Sequence, residues 1–110
     1  MIGAELVLDG AGLLQSCRIQ GHAGAAPRGE DLVCSAVSVL GRTLVKVLGE
    51  REDITIRGSI PDRGNFFIEV EYTEGGREFL SAAGTFFMEG LLSVSSEFPQ
   101  YCTVNIDRRS

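Results

Sequence analysis

The hydrophobic pattern of this chain changes period twice, and this change constrains the fold more than any other feature. Residues 2–20 alternate apolar and polar positions around the turn sequence Asp9-Gly10-Ala11-Gly12, which is typical of a β-hairpin. After a glycine-rich segment, apolar residues recur from Asp31 at the spacing of a helix face that ends near Gly49. The first half of the chain therefore predicts two strands followed by a helix.

The second half repeats this order. Alternating segments on either side of residues 61–64 predict a second hairpin over residues 54–72. Helical spacing follows over residues 80–98, and Pro99 ends it before a short strand at residues 102–106. The order ββαββα(β) predicts an α+β fold, in which helices pack on an antiparallel sheet. With 110 residues, 44% of them hydrophobic, we expect one domain over residues 1–110.

Composition excludes several classes of protein. The formal net charge is −5 and the ten basic residues are scattered, so we expect no direct nucleic-acid binding. No uninterrupted apolar run is long enough for a membrane span, and the N-terminus lacks the layout of a signal peptide, so we expect a cytoplasmic protein.

Three cysteines cannot form a complete disulfide framework, and Cys17 and Cys102 lie at apolar positions of predicted strands. We expect both to be reduced and buried.

Cys34 and His22 are the residues that could carry chemistry. With Asp31 as the N-cap, Cys34 is the third residue of the helix, where free backbone N–H groups and the helix dipole favour a thiolate and could hold an oxyanion. His22 is the only histidine; it follows a strand, and a loop over residues 21–30 can bring it back to the helix. Taken alone, however, such a cysteine is commonly a small core residue and such a histidine a solvated loop residue.

Other side chains have two interpretations. Asp31 can cap the helix or orient His22, and Ser38, one turn after Cys34, can contact the site or bond back to a carbonyl. Paired phenylalanines at 66–67 and 86–87 are expected in the core, with one ring of a pair partly exposed. No nucleotide-binding or zinc spacing occurs, so we expect neither cofactor nor metal.

The segments Gly21-His22-Ala23 and Asp31-Leu32-Val33-Cys34-Ser35-Ala36-Val37-Ser38 resemble the signature of the ribosomal-processing cysteine protease family. The order of elements resembles that family over nearly the whole chain. The resemblance implies that Cys34 is the nucleophile, His22 the general base and Asp31 a supporting acidic residue. Ser38 matches a serine of the same motif.

The resemblance also implies a substrate and an assembly. Members of the family remove an N-terminal extension from a large-subunit ribosomal protein, form homodimers and carry a mobile loop between the catalytic residues. We therefore expect a homodimeric endopeptidase with residues 21–30 as a lid. The rival hypothesis is a non-enzymatic module that binds a ribosomal protein, with Cys34 merely packed in the core.

Overall fold

The computed structural model describes residues 1–21, 28–62 and 65–109, and it contains the predicted elements in the predicted order. Their bounds are β1 Ile2–Leu8, β2 Leu14–Gln20, α1 Arg28–Gly49, β3 Ile54–Asp62, β4 Asn65–Tyr72, α2 Arg77–Glu97 and β5 Cys102–Arg108. A short 3-10 turn, Glu74–Gly76, leads into α2. The predicted α+β fold is confirmed.

The five strands form one sheet in the order β3-β4-β2-β1-β5. Four strands are antiparallel to their neighbours, as predicted, but β5 pairs in parallel with β1, so the sheet is mixed. The direction of β5 follows from the connection. Strand β4 runs in the same direction as β1, and α2 carries the chain back along the sheet, so β5 starts at the end where β1 starts.

One face of the sheet packs against the helices. Leu6, Cys17 and Ile68 are register partners on β1, β2 and β4, and each is at most 1% exposed. Cys102, at the start of β5, is also buried. The predicted burial of Cys17 and Cys102 is therefore confirmed, and both are free thiols.

The opposite face of the sheet is largely polar, and neither of the two described helices packs on it. Glu5 and Arg18 are partners across β1 and β2 on this face, and the Arg18 guanidinium lies 4.4 Å from the centre of the Phe67 ring. The two neighbouring phenylalanines of β4 thus point to opposite faces, Phe66 toward the helices and Phe67 away from them. In α2, Phe87 is buried and Phe86 is 77% exposed, which matches the expected division of that pair.

Helix α1 is amphipathic rather than uniformly apolar. Its residues Leu32–Gly49 are long and hydrophobic enough on average to cross a membrane, with a mean hydropathy of 1.6. Yet Val33, Val37 and Leu48 are almost fully buried in the core shared with the sheet, and the segment carries Arg42 and Lys46. A buried stripe with charges elsewhere is what a helix covering a sheet requires.

Candidate active site

Cys34 is the seventh residue of α1, because the helix begins at Arg28. The prediction that Asp31 is the N-cap and Cys34 the third helical residue is therefore wrong: Asp31 is the fourth residue of the helix. Acidic residues are favourable in the first helical turn as well as at the N-cap. Glu30 and Asp31 are therefore as compatible with a helix that begins at Arg28 as with one that begins after Asp31. The unpaired N–H groups of the helix belong to its first four residues, and the amide of Cys34 pairs within the helix.

Free amides around Cys34 cannot be the reason for a reactive thiolate or an oxyanion hole, since Cys34 lies in the second turn. The side chain of Cys34 is 2% exposed and belongs to the core cluster. Attack on a substrate therefore requires local opening over the thiol.

Three small residues form one stripe along the inner face of α1. Cys34, Ser38 and Gly41 follow each other at spacings of four and three residues, so they lie above one another on one side of the helix. Cys34 and Gly41 are buried and Ser38 is partly buried. Two of the predicted site residues on α1, Cys34 and Ser38, therefore share the face that looks toward the sheet.

The far end of this stripe rests on an aromatic ring. A Cβ atom added to Gly41 would lie 2.9 Å from Cε2 of Phe66 and 3.2 Å from its Cδ2 and Cζ atoms. No ordinary Cβ contact is that short, so only glycine allows the helix backbone to pack directly on the ring. The sequence predicted Phe66 to lie in the core, but no local pattern predicts which helix residue its ring contacts.

Phe66 also adjoins the strand that leads to the predicted base. It pairs with Ile19 of β2, and the chain leaves the sheet two residues later at Gly21. Gly21 fits tightly against β1, since an added Cβ would lie 2.9 Å from Cα of Ile2. His22 comes next in the sequence. Residues 28–30, the end of the predicted lid, belong to α1 instead. His22 and the rest of the predicted lid up to residue 27 lie outside the described residues, so the approach of His22 to Cys34 remains a prediction.

The other two thiols are poor nucleophiles. Desolvation by burial raises the pKa of Cys17 to about 12. Burial also raises the pKa of Cys102. A protonated, buried thiol neither attacks a carbonyl nor reacts readily with an alkylating agent.

Among the grooves in the described part of the chain are an apolar one and a polar one, and both lie away from Cys34. One, of about 240 Å³, is apolar and lies between the helices. It is lined by Leu40, Thr43, Leu44, Val47, Ala83, Phe86 and Phe87. The other, of about 300 Å³, includes Glu5, Arg18 and Asn105 on the open face of the sheet. Neither groove contains a nucleophile activated by a base among its described side chains. Among the described residues, no group of three or more His, Cys, Asp or Glu side chains could hold a metal ion.

Comparison with known proteins gives a consistent result. The family model described as cysteine protease Prp matches residues 1–103. SMU.848 from Streptococcus mutans has a similar structure, with a TM-score of 0.82 and 29% identity, covering 99% of this chain and 96% of that one. The ribosomal processing protease Prp of S. aureus, solved with a covalently linked product peptide, has a TM-score of 0.80 and 18% identity, covering 97% of this chain and 100% of that one. Its complex with a substrate peptide gives a TM-score of 0.78 at 17% identity, with the same coverage of both chains.

Comparison with curated proteins finds no match. The family match nevertheless spans almost the whole chain and includes both signature segments, so this α+β domain is a cysteine protease. It belongs to the cysteine protease Prp family. The predicted family resemblance is confirmed.

Proposed function

We propose that this protease removes the N-terminal extension of a large-subunit ribosomal protein, with Cys34 as nucleophile and His22 as general base. The observation that carries the proposal is the family match over residues 1–103, which contains a cysteine on the inner face of α1 and a histidine just after β2. The S. aureus relative of the same fold is a ribosomal processing protease and holds a covalently linked product peptide in one structure. Covalent attachment of a peptide is what nucleophilic catalysis produces.

The chemistry assigns one role to each residue. The imidazole of His22 takes the proton of the Cys34 thiol, and the thiolate attacks the scissile carbonyl carbon to form a carbon–sulfur bond. The tetrahedral intermediate collapses, the carbon–nitrogen bond breaks, and the imidazolium gives its proton to the departing amine. Water activated by the neutral imidazole then hydrolyses the thioester, which releases the acid product and restores the thiol. No redox partner or metal is needed for this sequence.

Asp31 and Ser38 take supporting roles in this proposal. Asp31 lies one helical turn before Cys34, where a carboxylate favours a protonated imidazole nearby. Asp31→Asn should then move the alkaline limb of kcat/KM to lower pH, because the imidazolium of His22 loses a stabilising charge. The neighbouring Glu30→Gln variant is the matched control. An unchanged pH profile in both variants would mean that Asp31 only stabilises the start of the helix.

Ser38→Ala should lower kcat/KM less than Cys34→Ala, because Ser38 only borders the thiol.

The function is tested by incubating the host's own extended ribosomal protein, or a peptide across its junction, with wild type and Cys34→Ala. Mass spectrometry should show one cut by wild type and none by the variant. A cut at the same rate by both proteins would remove Cys34 from the mechanism. Tight binding with no cut by either would favour the rival, a module that binds a ribosomal protein without processing it.

The family resemblance also supports a proposal on oligomeric state and cellular location. We propose a homodimer in the cytoplasm that does not bind nucleic acid directly. Light scattering after size-exclusion chromatography at micromolar concentration should give twice the mass of the 11.8 kDa chain. A monomeric mass over the concentration range in which the protein is active would contradict the dimer.

A further inference from the structure

We infer that two copies of this chain associate through the outer face of their helices, with Phe86 of each copy seated in the apolar groove of the other. The outer face is the side of α1 and α2 that points away from the sheet. The inference rests on the homodimer in the proposed function and deepens it. It specifies which surface pairs and with what symmetry.

The outer face has few charges for a surface in contact with water. Residues 32–49 of α1 contain two charged side chains, Arg42 and Lys46, and residues 79–96 of α2 contain one, Glu89. In the whole chain, 23% of the residues are charged. Because a solvated surface is normally rich in charges and the centre of an interface is depleted of them, this face has the composition of an interface.

Large apolar side chains protrude from the same face. Phe86 of α2 is 77% exposed, and Leu32 and Val39 of α1 are each more than half exposed. Leu32 and Val39 are seven residues apart, which is close to two helical turns, so they lie on one side of α1. A group of exposed apolar side chains bordered by charges is typical of an association surface.

The groove between the helices can receive an aromatic ring. Its volume is about 240 Å³ and its lining is mainly apolar, whereas an apolar cavity of about 150 Å³ already accommodates benzene. Phe86 lies at the border of this groove. The protruding ring and the recess are therefore neighbours on one surface. Such a surface is self-complementary under two-fold rotation, because each ring can enter the groove of the other copy.

The two helices that border the groove are antiparallel. Helix α1 connects the parallel strands β2 and β3, and α2 connects the parallel strands β4 and β5, which run the opposite way. The helices also pack closely, since an added Cβ at Gly90 would lie 3.0 Å from Cδ2 of Leu40. A two-fold axis in the plane of the interface can therefore run either along the groove or across it.

The charges of the outer face favour the axis along the groove. That axis stacks α1 of each copy on α2 of the other and sets the basic Arg42 and Lys46 against the acidic Glu89. An axis across the groove stacks α1 on α1 and brings the basic side chains together. Within the part of the chain that the structure describes, these three side chains form no ion pair. They are thus available to a second copy.

The dissociation constant of the dimer tests the role of Phe86. Sedimentation equilibrium measures it for wild type, Phe86→Asp and the control Ile106→Asp, which alters a partly exposed apolar residue of the edge strand β5. Phe86→Asp should raise the dissociation constant at least about thirtyfold, the loss expected for a central aromatic anchor. Ile106→Asp should leave it unchanged. If Phe86→Asp does not fold by circular dichroism, Val39→Asp supplies the same comparison.

Charge reversal tests the symmetry. Arg42→Glu and Glu89→Arg each oppose like charges across the interface, so each variant alone should dimerise roughly tenfold more weakly than wild type. An equimolar mixture of the two variants should form a heterodimer with the affinity of wild type, because opposite charges then meet at both contacts. A mixture as weak as either variant would overturn the proposed symmetry.

A Phe86→Asp dimer as tight as wild type would overturn the inference and leave the homodimer in place. Equal weakening by Phe86→Asp and Ile106→Asp would overturn it as well. So would an unchanged dimer mass with a raised KM for the extended ribosomal protein, which would make the outer face a substrate-binding surface. A wild type that is monomeric at every concentration would instead reject the homodimer itself. Cleavage of the junction peptide is measured separately, so none of these results decides the role of Cys34.

Discussion

The hydroxyl of Tyr72 donates a 2.7 Å hydrogen bond to Oδ2 of Asp9, although 63 residues separate them in sequence. The other oxygen of Asp9, Oδ1, accepts hydrogen bonds from the backbone N–H groups of Ala11 and Leu13. One carboxylate thus closes the turn between β1 and β2 and fastens it to the end of β4. The contact lies at the opposite end of the sheet from Gly21.

Removing this hydroxyl should weaken the fold in a pH-dependent way. Desolvation by burial raises the pKa of Asp9, but the hydrogen bonds from Leu13, Tyr72 and Ala11 lower it further, so the net pKa is below its ordinary value. A pKa lowered by folding stabilises the native state above the unfolded pKa, and that stabilisation is lost as the pH falls through the folded pKa. Tyr72→Phe should therefore cost about 1–2 kcal/mol of unfolding free energy at pH 7 and progressively less in acid.

Urea unfolding of wild type and Tyr72→Phe at neutral and acidic pH measures this difference. Tyr101→Phe is the control, since no hydrogen bond of its hydroxyl is found among the described residues. The explanation fails if the two variants lose the same stability, or if the loss in Tyr72→Phe is independent of pH.

Gly58 in β3 occupies a position in the sheet that only glycine fits. Its φ angle is +139°, and an added Cβ would collide with the carbonyl oxygen of Phe67 and lie 2.8 Å from Cα of Ile68. Both are backbone atoms, so relief requires movement of β4. Gly58→Ala should destabilise the protein by roughly 2–4 kcal/mol through combined backbone strain and overlap.

Gly49, the last residue of α1, is the matched control, because an added Cβ would meet no atom within 4 Å. Gly49→Ala should change the unfolding free energy by less than about 1 kcal/mol. Thermal or urea unfolding of the two variants tests the comparison, and similar midpoints would show that β3 tolerates a side chain at Gly58.

Thiol reactivity should distinguish the three cysteines. Burial raises the pKa of Cys17 to about 12 and also raises that of Cys102, so at pH 8 both remain protonated and covered by the core. Cys34 should react first with iodoacetamide if the site opens for its substrate, although it too is buried in this structure. Peptide mapping after brief labelling identifies the modified residue; equal labelling of all three would indicate global unfolding rather than opening at the site.

Much of this fold could be predicted because its signals are local. The alternation of apolar and polar residues predicted that Cys17 and Cys102 lie in the core, and the change of the hydrophobic period predicted both helices. The parallel pairing of β5 with β1 could not be obtained in this way, because it depends on the path of α2 across the sheet and not on the sequence of β5. Local patterns do not encode which distant strand becomes a neighbour.

In the candidate site, too, the local features could be predicted from the sequence and the long-range contacts could not. The sequence identified Cys34 and the face it shares with Ser38, but it placed the start of α1 too late, because acidic residues suit both an N-cap and a first turn. The contact between Gly41 and Phe66 joins residues 25 positions apart, so only the assembled structure reveals it. The burial of Cys34 likewise depends on the packing of the helix on the sheet.

Attack by Cys34 on the substrate leaves an acyl group on its sulfur, so trapping the acyl-enzyme identifies the nucleophile. Wild type is mixed with a junction peptide, quenched in acid within the first turnover, digested and analysed by mass spectrometry. We expect the acyl mass on the peptide that contains Cys34, with the same result in the Cys102→Ala variant. Cleavage that proceeds without any acyl-enzyme on Cys34, or with the acyl group on Cys17 or Cys102, would contradict it.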